Sequence, residues 1–173
     1  TPLAGAYVVD LEPRTDERGF FARAWCEREF EEHGLNPRLV QCDISFNRRA
    51  GTLRGMHQQR APHAQAKLVR CTRGAIFDAI VDTRPESPTF ARFFATELTA
   101  ENRRMLFVPE GFAHGFQTLV DATEIVYQMS SPYVPDAAIG FRWDDPALRI
   151  PWPLPEPILN ERDRSYPLFA ELV

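Results

Sequence analysis

The sequence is poor in cysteine and glycine, has no long apolar run and has no excess of basic residues. Its three cysteines, Cys26, Cys42 and Cys71, show no C-x-x-C spacing, which favours reduced thiols over a disulfide framework. No apolar run approaches the ~18 to 20 residues that a membrane-spanning helix needs. The net charge of −4 excludes an overall basic field that would gather nucleic acid. We therefore expect a cytoplasmic protein that binds neither membranes nor nucleic acid.

The apolar residues that are present, 44% of the chain, recur mostly with period two in short runs. These runs predict strands at 7–9, 20–25, 39–45, 67–71, 75–81, 90–98, 105–108 and 124–129. Many short strands separated by turn residues, with 15 prolines against nine glycines, favour an all-β sandwich, jelly roll or barrel. Residues 1–173 fit one domain with one core.

Two segments depart from the strand pattern. A short helix is predicted at 27–33, where Phe30 lies on one face and Gly34 can stop the helix in a left-handed conformation. From 134 to 173 the chain is rich in proline, which predicts an extended tail over the body of the domain. The polar segment at 160–163 ends this stretch. A tail of this kind can carry a residue to the mouth of a pocket.

The segment Thr52-Leu-Arg-Gly-Met-His57, followed by Lys67, places a base and two cations on what we interpret as neighbouring strands. A second block, Val108-Pro-Glu-Gly-Phe-Ala-His114, supplies another histidine. Together they predict a pocket that binds an anion and transfers protons.

A metal site is one interpretation of these histidines. The spacing Pro109-x-Gly111-x-x-His114 matches the second motif of the cupin family, in which that histidine is commonly a metal ligand. The first cupin motif would require a second histidine and a glutamate, whereas His57 is followed by two glutamines. Lys67 stands near the position of the missing carboxylate, and an ammonium would repel a metal ion. His63 could still join His57 and His114, but the evidence favours a site without metal.

Without metal, the same residues suit acid–base chemistry. His57 can accept a proton near neutral pH. Arg54 and Lys67 can hold phosphates or an oxyanion. Tyr127 could deliver a proton from the opposite side. Proton abstraction next to a carbonyl, followed by return of a proton to the other face, would make an epimer.

Each candidate also has a structural interpretation. His114 could be a pocket wall bonded to its neighbours, and Tyr127, on a strand, could belong to the core. Arg18 would ordinarily be a turn residue beside acids. Asp163 would ordinarily be an exposed loop residue.

The ordered series of motifs resembles the dTDP-4-dehydrorhamnose 3,5-epimerase family over nearly the whole chain. The resemblance rests on Asp16-Glu-Arg-Gly-Phe-Phe, Gly51-Thr-Leu-Arg-Gly-Met-His, Lys67-Leu-Val-Arg-Cys, Asp82-x-Arg84, Ser87-Pro-Thr-Phe, Pro109-Glu-Gly-Phe-Ala-His-Gly-Phe, Tyr133-x-Pro135 and Ile150-x-Trp-Pro153. It implies a metal-independent cupin jelly roll without cofactor. It also implies a homodimer that exchanges N-terminal strands, and a nucleotide-diphospho-4-keto-6-deoxyhexose as substrate.

The resemblance also implies residue roles. It makes His57 the base, Asp163 its partner and Tyr127 the acid, and it places Lys67 near the sugar C4 oxygen. Positions expected to contact substrate are Arg18, Phe20, Gln41, Asp43, Arg54, Gln58, His114 and Arg162.

Some residues differ from the family pattern. Asp43 replaces the central asparagine of a Gln-x-Asn-x-Ser pattern, and Gln58 replaces an aromatic residue after the base. Since both lie in substrate-lining segments, they suggest the same reaction on another carrier or sugar. The alternatives are an epimerase that inverts only C3 or only C5, a metal-dependent cupin isomerase or oxygenase, and a non-catalytic sugar-nucleotide binder.

Overall fold

The computed structural model describes residues 1–172, and most of its regular secondary structure consists of short antiparallel strands. The strands are β1 (Tyr7–Val9), β2 (Arg14–Asp16), β3 (Gly19–Phe21), β4 (Gln41–Asn47), β5 (Leu53–Gln59), β6 (Lys67–Arg73), β7 (Ala75–Asp82), β8 (Phe93–Thr99), β9 (Met105–Val108), β10 (Phe112–Thr118), β11 (Thr123–Met129) and β12 (Ala138–Gly140). The helices are α1 (Glu27–Glu32) and α2 (Glu161–Ser165), with two single 3₁₀ turns at Pro135–Ala137 and Phe169–Glu171.

Ten of these strands form two five-stranded sheets. The first sheet has the order β1-β9-β6-β11-β4, and the second has the order β12-β5-β10-β7-β8. The remaining strands, β2 and β3, form a separate exposed hairpin. The predicted all-β jelly roll is confirmed.

The main core lies between the two sheets, because each strand turns alternate side chains inward. It contains Val69 from β6, Ile76 and Ile80 from β7, Leu106 from β9 and Phe116 from β10, all essentially inaccessible to solvent. Each sheet is covered outside by a second, smaller core.

Helix α1 covers the outer face of the first sheet, where Phe30 packs against Leu68 and Phe107. The helix ends before Gly34, whose φ of +68° permits the left-handed stop, so this prediction is confirmed. No helix among residues 1–172 is long and apolar enough to cross a membrane.

The proline-rich tail covers the outer face of the second sheet. Phe141 and Ile150 pack there against Met56, and the Gln117 side chain exchanges two hydrogen bonds with the backbone of Leu154, at 2.8 and 2.9 Å. Strand β12 extends the sheet by pairing with β5. The sequence predicted an extended tail over the body of the domain, and the tail lies over the second sheet in this way.

One expectation about neighbouring strands was wrong. The strands carrying His57 and Lys67, β5 and β6, belong to opposite sheets, so the two residues face each other across the sandwich instead of lying side by side. The chain therefore crosses from one sheet to the other between these two strands.

A buried polar network ties the start of the chain to the end of β7. Both oxygens of the Asp82 carboxylate accept hydrogen bonds from Arg84, and Ser87 and Thr89 add two more. Arg84 also donates to the carbonyl oxygen of Ala4 at 2.7 Å. Burial alone would raise the pKa of Asp82, but these donors outweigh it and lower the pKa from 3.8 to about 2.

Since the folded-state pKa of Asp82 lies below its ordinary value, the network stabilises the fold above about pH 4 and loses this effect as the pH falls toward 2. We predict that Asp82→Asn lowers the free energy of unfolding at pH 7 by about 2 kcal/mol. The difference from wild type should shrink between pH 4 and pH 2, as measured by urea unfolding. Asp10→Asn, which removes an exposed ion pair with Arg104, is the control and should cost less than about 1 kcal/mol. A loss that is independent of pH would contradict the role of the Asp82 charge.

Candidate active site

A cavity of about 610 Å³ opens between the two sheets at one end of the sandwich. Its walls come from β4, β6 and β11 of the first sheet, from β5, β10 and β12 of the second, and from α2 in the tail. Among the residues singled out in the sequence, the lining contains Asp43, Arg54, His57, Gln58, Lys67, His114, Tyr127, Arg162 and Asp163.

The polar side chains of the pocket occupy inward positions that are apolar elsewhere along the same strands. Lys67 precedes the core residue Val69 on β6, and Tyr127 follows the core residue Ile125 on β11. His114 lies between two inward phenylalanines of β10. The pocket is therefore the polar end of the same inner face that forms the main core.

His57 is paired with a carboxylate from the far end of the chain. Its Nε2 lies 2.7 Å from Oδ1 of Asp163, which is 1% exposed, while the His57 side chain is 38% exposed. An ionised carboxylate only accepts hydrogen bonds, so the neutral imidazole carries its hydrogen on Nε2 and keeps the lone pair on Nδ1. This arrangement gives His57 an available basic nitrogen at the pocket.

The backbone holds Asp163 in place. The Asn160 side chain caps α2 by accepting the N–H of Asp163 at 2.7 Å. The second carboxylate oxygen of Asp163 accepts the N–H of Gly55 at 3.3 Å. The ring of Tyr166 packs edge-on against His57, with 5.7 Å between centroids.

A second histidine–aspartate pair joins the pocket to the buried core. Nε2 of His114 is 2.7 Å from Oδ1 of Asp78, and the side chains are 5% and 0% exposed. By the same reasoning, neutral His114 keeps its lone pair on Nδ1, where it can accept a hydrogen bond from a ligand hydroxyl.

Lys67 and Tyr127 have shifted pKa values at this end of the core. Burial lowers the pKa of Lys67 from 10.5 to about 8, and the charge of Asp78 opposes this shift. Burial, reinforced by Asp78, raises the pKa of the Tyr127 phenol, and Arg54 opposes this rise. At neutral pH the pocket therefore contains an ammonium and an undissociated phenol.

Two arginines lie at the pocket on its exposed side. Arg54 donates from Nε to Asn47 at 2.9 Å, so its two terminal nitrogens remain for a ligand. The guanidinium of Arg162 lies over the ring of Tyr166, 5.6 Å from the centroid. Both can bind phosphate oxygens.

Three expected substrate contacts lie outside the cavity lining. Gln41 donates to Asp43 at 2.7 Å, so it acts on the pocket through a residue of the wall. Arg18, with 84% of its side chain exposed, is paired with Asp16 on the β2–β3 hairpin. The Phe20 ring, on the same hairpin, lies under the guanidinium of Arg103.

The two residues that differ from the family pattern, Asp43 and Gln58, each form a hydrogen bond within the chain. The amide oxygen of Gln58 accepts a hydrogen bond from the hydroxyl of Thr83 at 2.7 Å. Asp43 accepts the hydrogen bond from Gln41 at the rim of the pocket. Both remain candidates for contact with a bound ligand.

Within residues 1–172, no three His, Cys, Asp or Glu side chains are grouped so that they could hold a metal ion. His63, the third histidine of the metal interpretation, does not belong to the lining of the pocket. His57 and His114 are each bonded to a different aspartate. The donor set therefore fits acid–base chemistry better than metal binding.

Two residues of the site were missed by sequence analysis. Asp78 is a charged residue between the inward isoleucines Ile76 and Ile80, and that interruption of an apolar face was the available signal. Tyr166 gave no signal, since it lies in a polar stretch of the tail. The composition also points to Lys67, because it is the only lysine among 20 lysine and arginine residues.

A jelly roll that sets a carboxylate-paired histidine on one sheet against an ammonium and a phenol on the other defines an acid–base enzyme with the cupin fold. A family model described as dTDP-4-dehydrorhamnose 3,5-epimerase matches residues 1–171. The chain belongs to this family, and it is an isomerase that acts on sugar nucleotides.

Individual members of the family are similar to this chain over nearly their full length. A dTDP-4-dehydrorhamnose 3,5-epimerase of Sinorhizobium fredii is 44% identical over 98% of this chain and 89% of its own. The crystal structure of the Bacillus anthracis enzyme with TDP and PPi bound is 42% identical, covers 97% of this chain and 96% of its own, and superposes with a TM-score of 0.93. The Legionella pneumophila enzyme in complex with dTDP-4-keto-L-rhamnose is 35% identical, covers 100% of this chain and 94% of its own, and has a TM-score of 0.91.

Because Lys67 is the only lysine, its titration can be measured directly. We predict that ¹³C-lysine labelling gives one Cε resonance, with a titration midpoint near pH 8 in the folded protein. The same sample unfolded in urea should titrate near the ordinary value of 10.5, which provides the internal control. A folded-state midpoint equal to the unfolded one would contradict burial of the ammonium.

Proposed function

We propose that the chain inverts C3 and C5 of a nucleotide-diphospho-4-keto-6-deoxyhexose by proton transfer through an enolate. The observation that carries the proposal is the placement of the His57–Asp163 pair opposite Tyr127, in one pocket that also contains Lys67. A base and an acid on opposite walls can act on opposite faces of a sugar ring.

The 4-keto group makes the hydrogens on C3 and C5 acidic. Nδ1 of His57 takes one of them, and the electrons of that C–H bond move into the enolate, whose negative charge is on O4. The Lys67 ammonium stabilises this charge, an electrostatic contribution that is usually large. Tyr127 then protonates the carbon from the other face, and both groups recover their protonation states through solvent before the second centre reacts.

The shifted pKa of Tyr127 suits this role. A phenol with a raised pKa stays protonated while substrate binds, and it releases its proton only when a strongly basic carbanion develops next to it. Asp163 keeps His57 in one tautomer and stabilises the imidazolium that forms after proton abstraction.

The arginines of the pocket support a diphosphate in the substrate. Arg54 and Arg162 present guanidinium groups, which match phosphate oxygens in pairs. The relatives solved with TDP or with dTDP-4-keto-L-rhamnose support thymidine diphosphate as the carrier. We propose that Asp43 and Gln58 adjust contacts around this ligand and leave the reaction unchanged.

We also propose a homodimer in which the N-terminal hairpin of one subunit enters the pocket of the other. Two features support it: the hairpin residue Phe21 is 73% exposed, and β4, which borders the pocket, is an edge strand on which Ile44 is 68% exposed. Arg18 and Phe20 would then contact the substrate of the partner. The three free thiols are compatible with the reducing cytoplasm that we propose as its location.

Substitution of the base should block proton exchange at carbon, and substitution of the acid should block inversion, because the opposite face then has no proton donor. We predict that His57→Asn and Tyr127→Phe each lower kcat at least ~100-fold, the size expected for loss of an acid–base catalyst. Nucleotide binding should change little. Uptake of deuterium from D₂O at C3 and C5, followed by NMR, measures each centre separately.

Arg142→Ala is a suitable control, because this exposed arginine pairs with Asp144 away from the cavity. It should leave exchange at both carbons unchanged. Exchange at the wild-type rate in His57→Asn would refute the role of His57, and inversion at the wild-type rate in Tyr127→Phe would refute the role of Tyr127. Exchange at only one carbon in wild type would instead indicate a single-centre epimerase.

Strand exchange predicts complementation between two inactive variants. Arg18→Ala should weaken substrate binding and His57→Asn should block chemistry. In a refolded mixture, the heterodimer would have one site with intact His57 and a partner's intact arginine. Random pairing should restore about a quarter of the wild-type sites. No recovery, from a mixture whose dimeric mass is confirmed by light scattering, would show that Arg18 acts within its own subunit or not at all.

A further inference from the structure

Asp78 is a carboxylate placed in the centre of the main core. Its side chain points inward from β7 between Ile76 and Ile80, and the residue is fully buried. Oδ1 is bonded to His114, while Oδ2 has no hydrogen-bond partner among residues 1–172. A buried carboxylate oxygen without a donor is costly, and nothing in the packing of the core requires it.

A cation close by would offset this cost, and the pocket supplies one. Asp78 lies behind His114, whose side chain lines the pocket together with Lys67. The other ionisable side chains of that lining are Asp43, Arg54, His57, Tyr127, Tyr133, Arg162, Asp163 and Tyr166. Strand β9, which pairs with β6, presents only Met, Leu, Phe and Val.

On Lys67's own strand, burial raises the pKa of the Cys71 thiol to about 11, so the thiol is neutral. Both carboxylate oxygens of Asp163 already accept hydrogen bonds, from His57 and from the backbone of Gly55, and the exposed Asp43 accepts one from Gln41. Asp78 is therefore the buried carboxylate that has an oxygen left for Lys67.

We propose that Asp78 is the counter-ion that holds Lys67 in its ammonium form and fixes the tautomer of His114, and thus acts as a positioning residue for the epimerisation. The inference rests on the proposed function, because it assigns the charge on which the enolate-stabilising role of Lys67 depends. Asp78 does not need to touch the sugar for this role.

The pKa directions agree with this geometry. Burial lowers the pKa of Lys67, and the Asp78 charge raises it, which leaves it at about 8 and the amine charged at neutral pH. Burial raises the pKa of Tyr127, and the same Asp78 charge adds to that rise. A neutral residue at position 78 would lower the pKa of both Lys67 and Tyr127. The loss of a close opposite charge typically shifts a pKa by ~1 to 3 units.

The test is Asp78→Asn, which keeps the shape of the side chain and removes its charge. The matched control is Asp82→Asn, the same substitution of a buried aspartate on the same strand, away from the pocket. In Asp78→Asn the ¹³Cε titration midpoint of Lys67 should move to lower pH, and kcat at pH 8 should fall about fivefold or more. The control should keep the wild-type titration midpoint of Lys67 and the wild-type fall of kcat at alkaline pH, which is the alkaline limb of the kcat profile.

An unchanged Lys67 midpoint in folded Asp78→Asn would overturn the inference. This titration needs no substrate, so it is independent of the proposed reaction. If the midpoint moves while the alkaline limb of kcat stays in place, the counter-ion is supported but the role of Lys67 in turnover is refuted.

A second measurement covers the case in which Asp78→Asn alone does not fold. The double variant Lys67→Met/Asp78→Asn removes both charges together and should be more stable than the single Asp78→Asn variant. If the double variant also fails to fold, or if its loss of thermal stability is the sum of the two single losses, the charges are not coupled and the inference fails.

Discussion

The site depends on a hydrogen bond between two residues that are 106 positions apart, His57 and Asp163. The tail brings them together by adding β12 to the second sheet, where Gly140 pairs with His57. A side chain at Gly140 would meet the carbonyl oxygen of Met56 at 2.5 Å and the ring of Tyr166 at 2.7 Å. The tail must therefore lie directly on β5, and this close contact carries α2 and its aspartate to the base. The outer core of the second sheet thus positions the His57–Asp163 pair as well as stabilising the fold.

The fold could be predicted from the sequence wherever a strand buries one face. The alternation of apolar and polar residues identified most strands of the first sheet, because the outer faces of these strands are only partly covered and keep polar residues. It did not identify β10, in which all seven residues are buried. That strand lies between the main core and the tail, so both faces are apolar and the period of two disappears. The strand with the second histidine was therefore found by its motif and not by its pattern.

The site was predictable to a different degree for each residue. His57 and Lys67 lie in motifs whose residue types already indicate a base and a cation. Tyr127 was a candidate acid from its residue type, and the resemblance strengthened that role. Asp163 depended on family resemblance, because no local pattern shows which distant side chains meet in space. Asp78 was missed because its neighbours along β7 are apolar on both faces, which hides the direction of its side chain. The position of Arg18 relative to a substrate cannot be read from one chain if a second subunit receives it.

The choice of lysine at position 67 follows from the same electrostatics. An arginine there would stay charged at every relevant pH and could not give up a proton. In the proposed reaction, an ammonium whose pKa is about 8 would be charged when the substrate binds and could still share or transfer a proton as negative charge develops on O4. The pKa of Lys67 is set by two opposing influences, burial and the Asp78 carboxylate, and the same carboxylate adds to the rise that burial causes in the pKa of Tyr127. One buried carboxylate thereby acts on both groups on the wall facing His57. In the proposed reaction, the balance of acid and base across the sugar would depend on the inner core as well as on the residues that line the pocket.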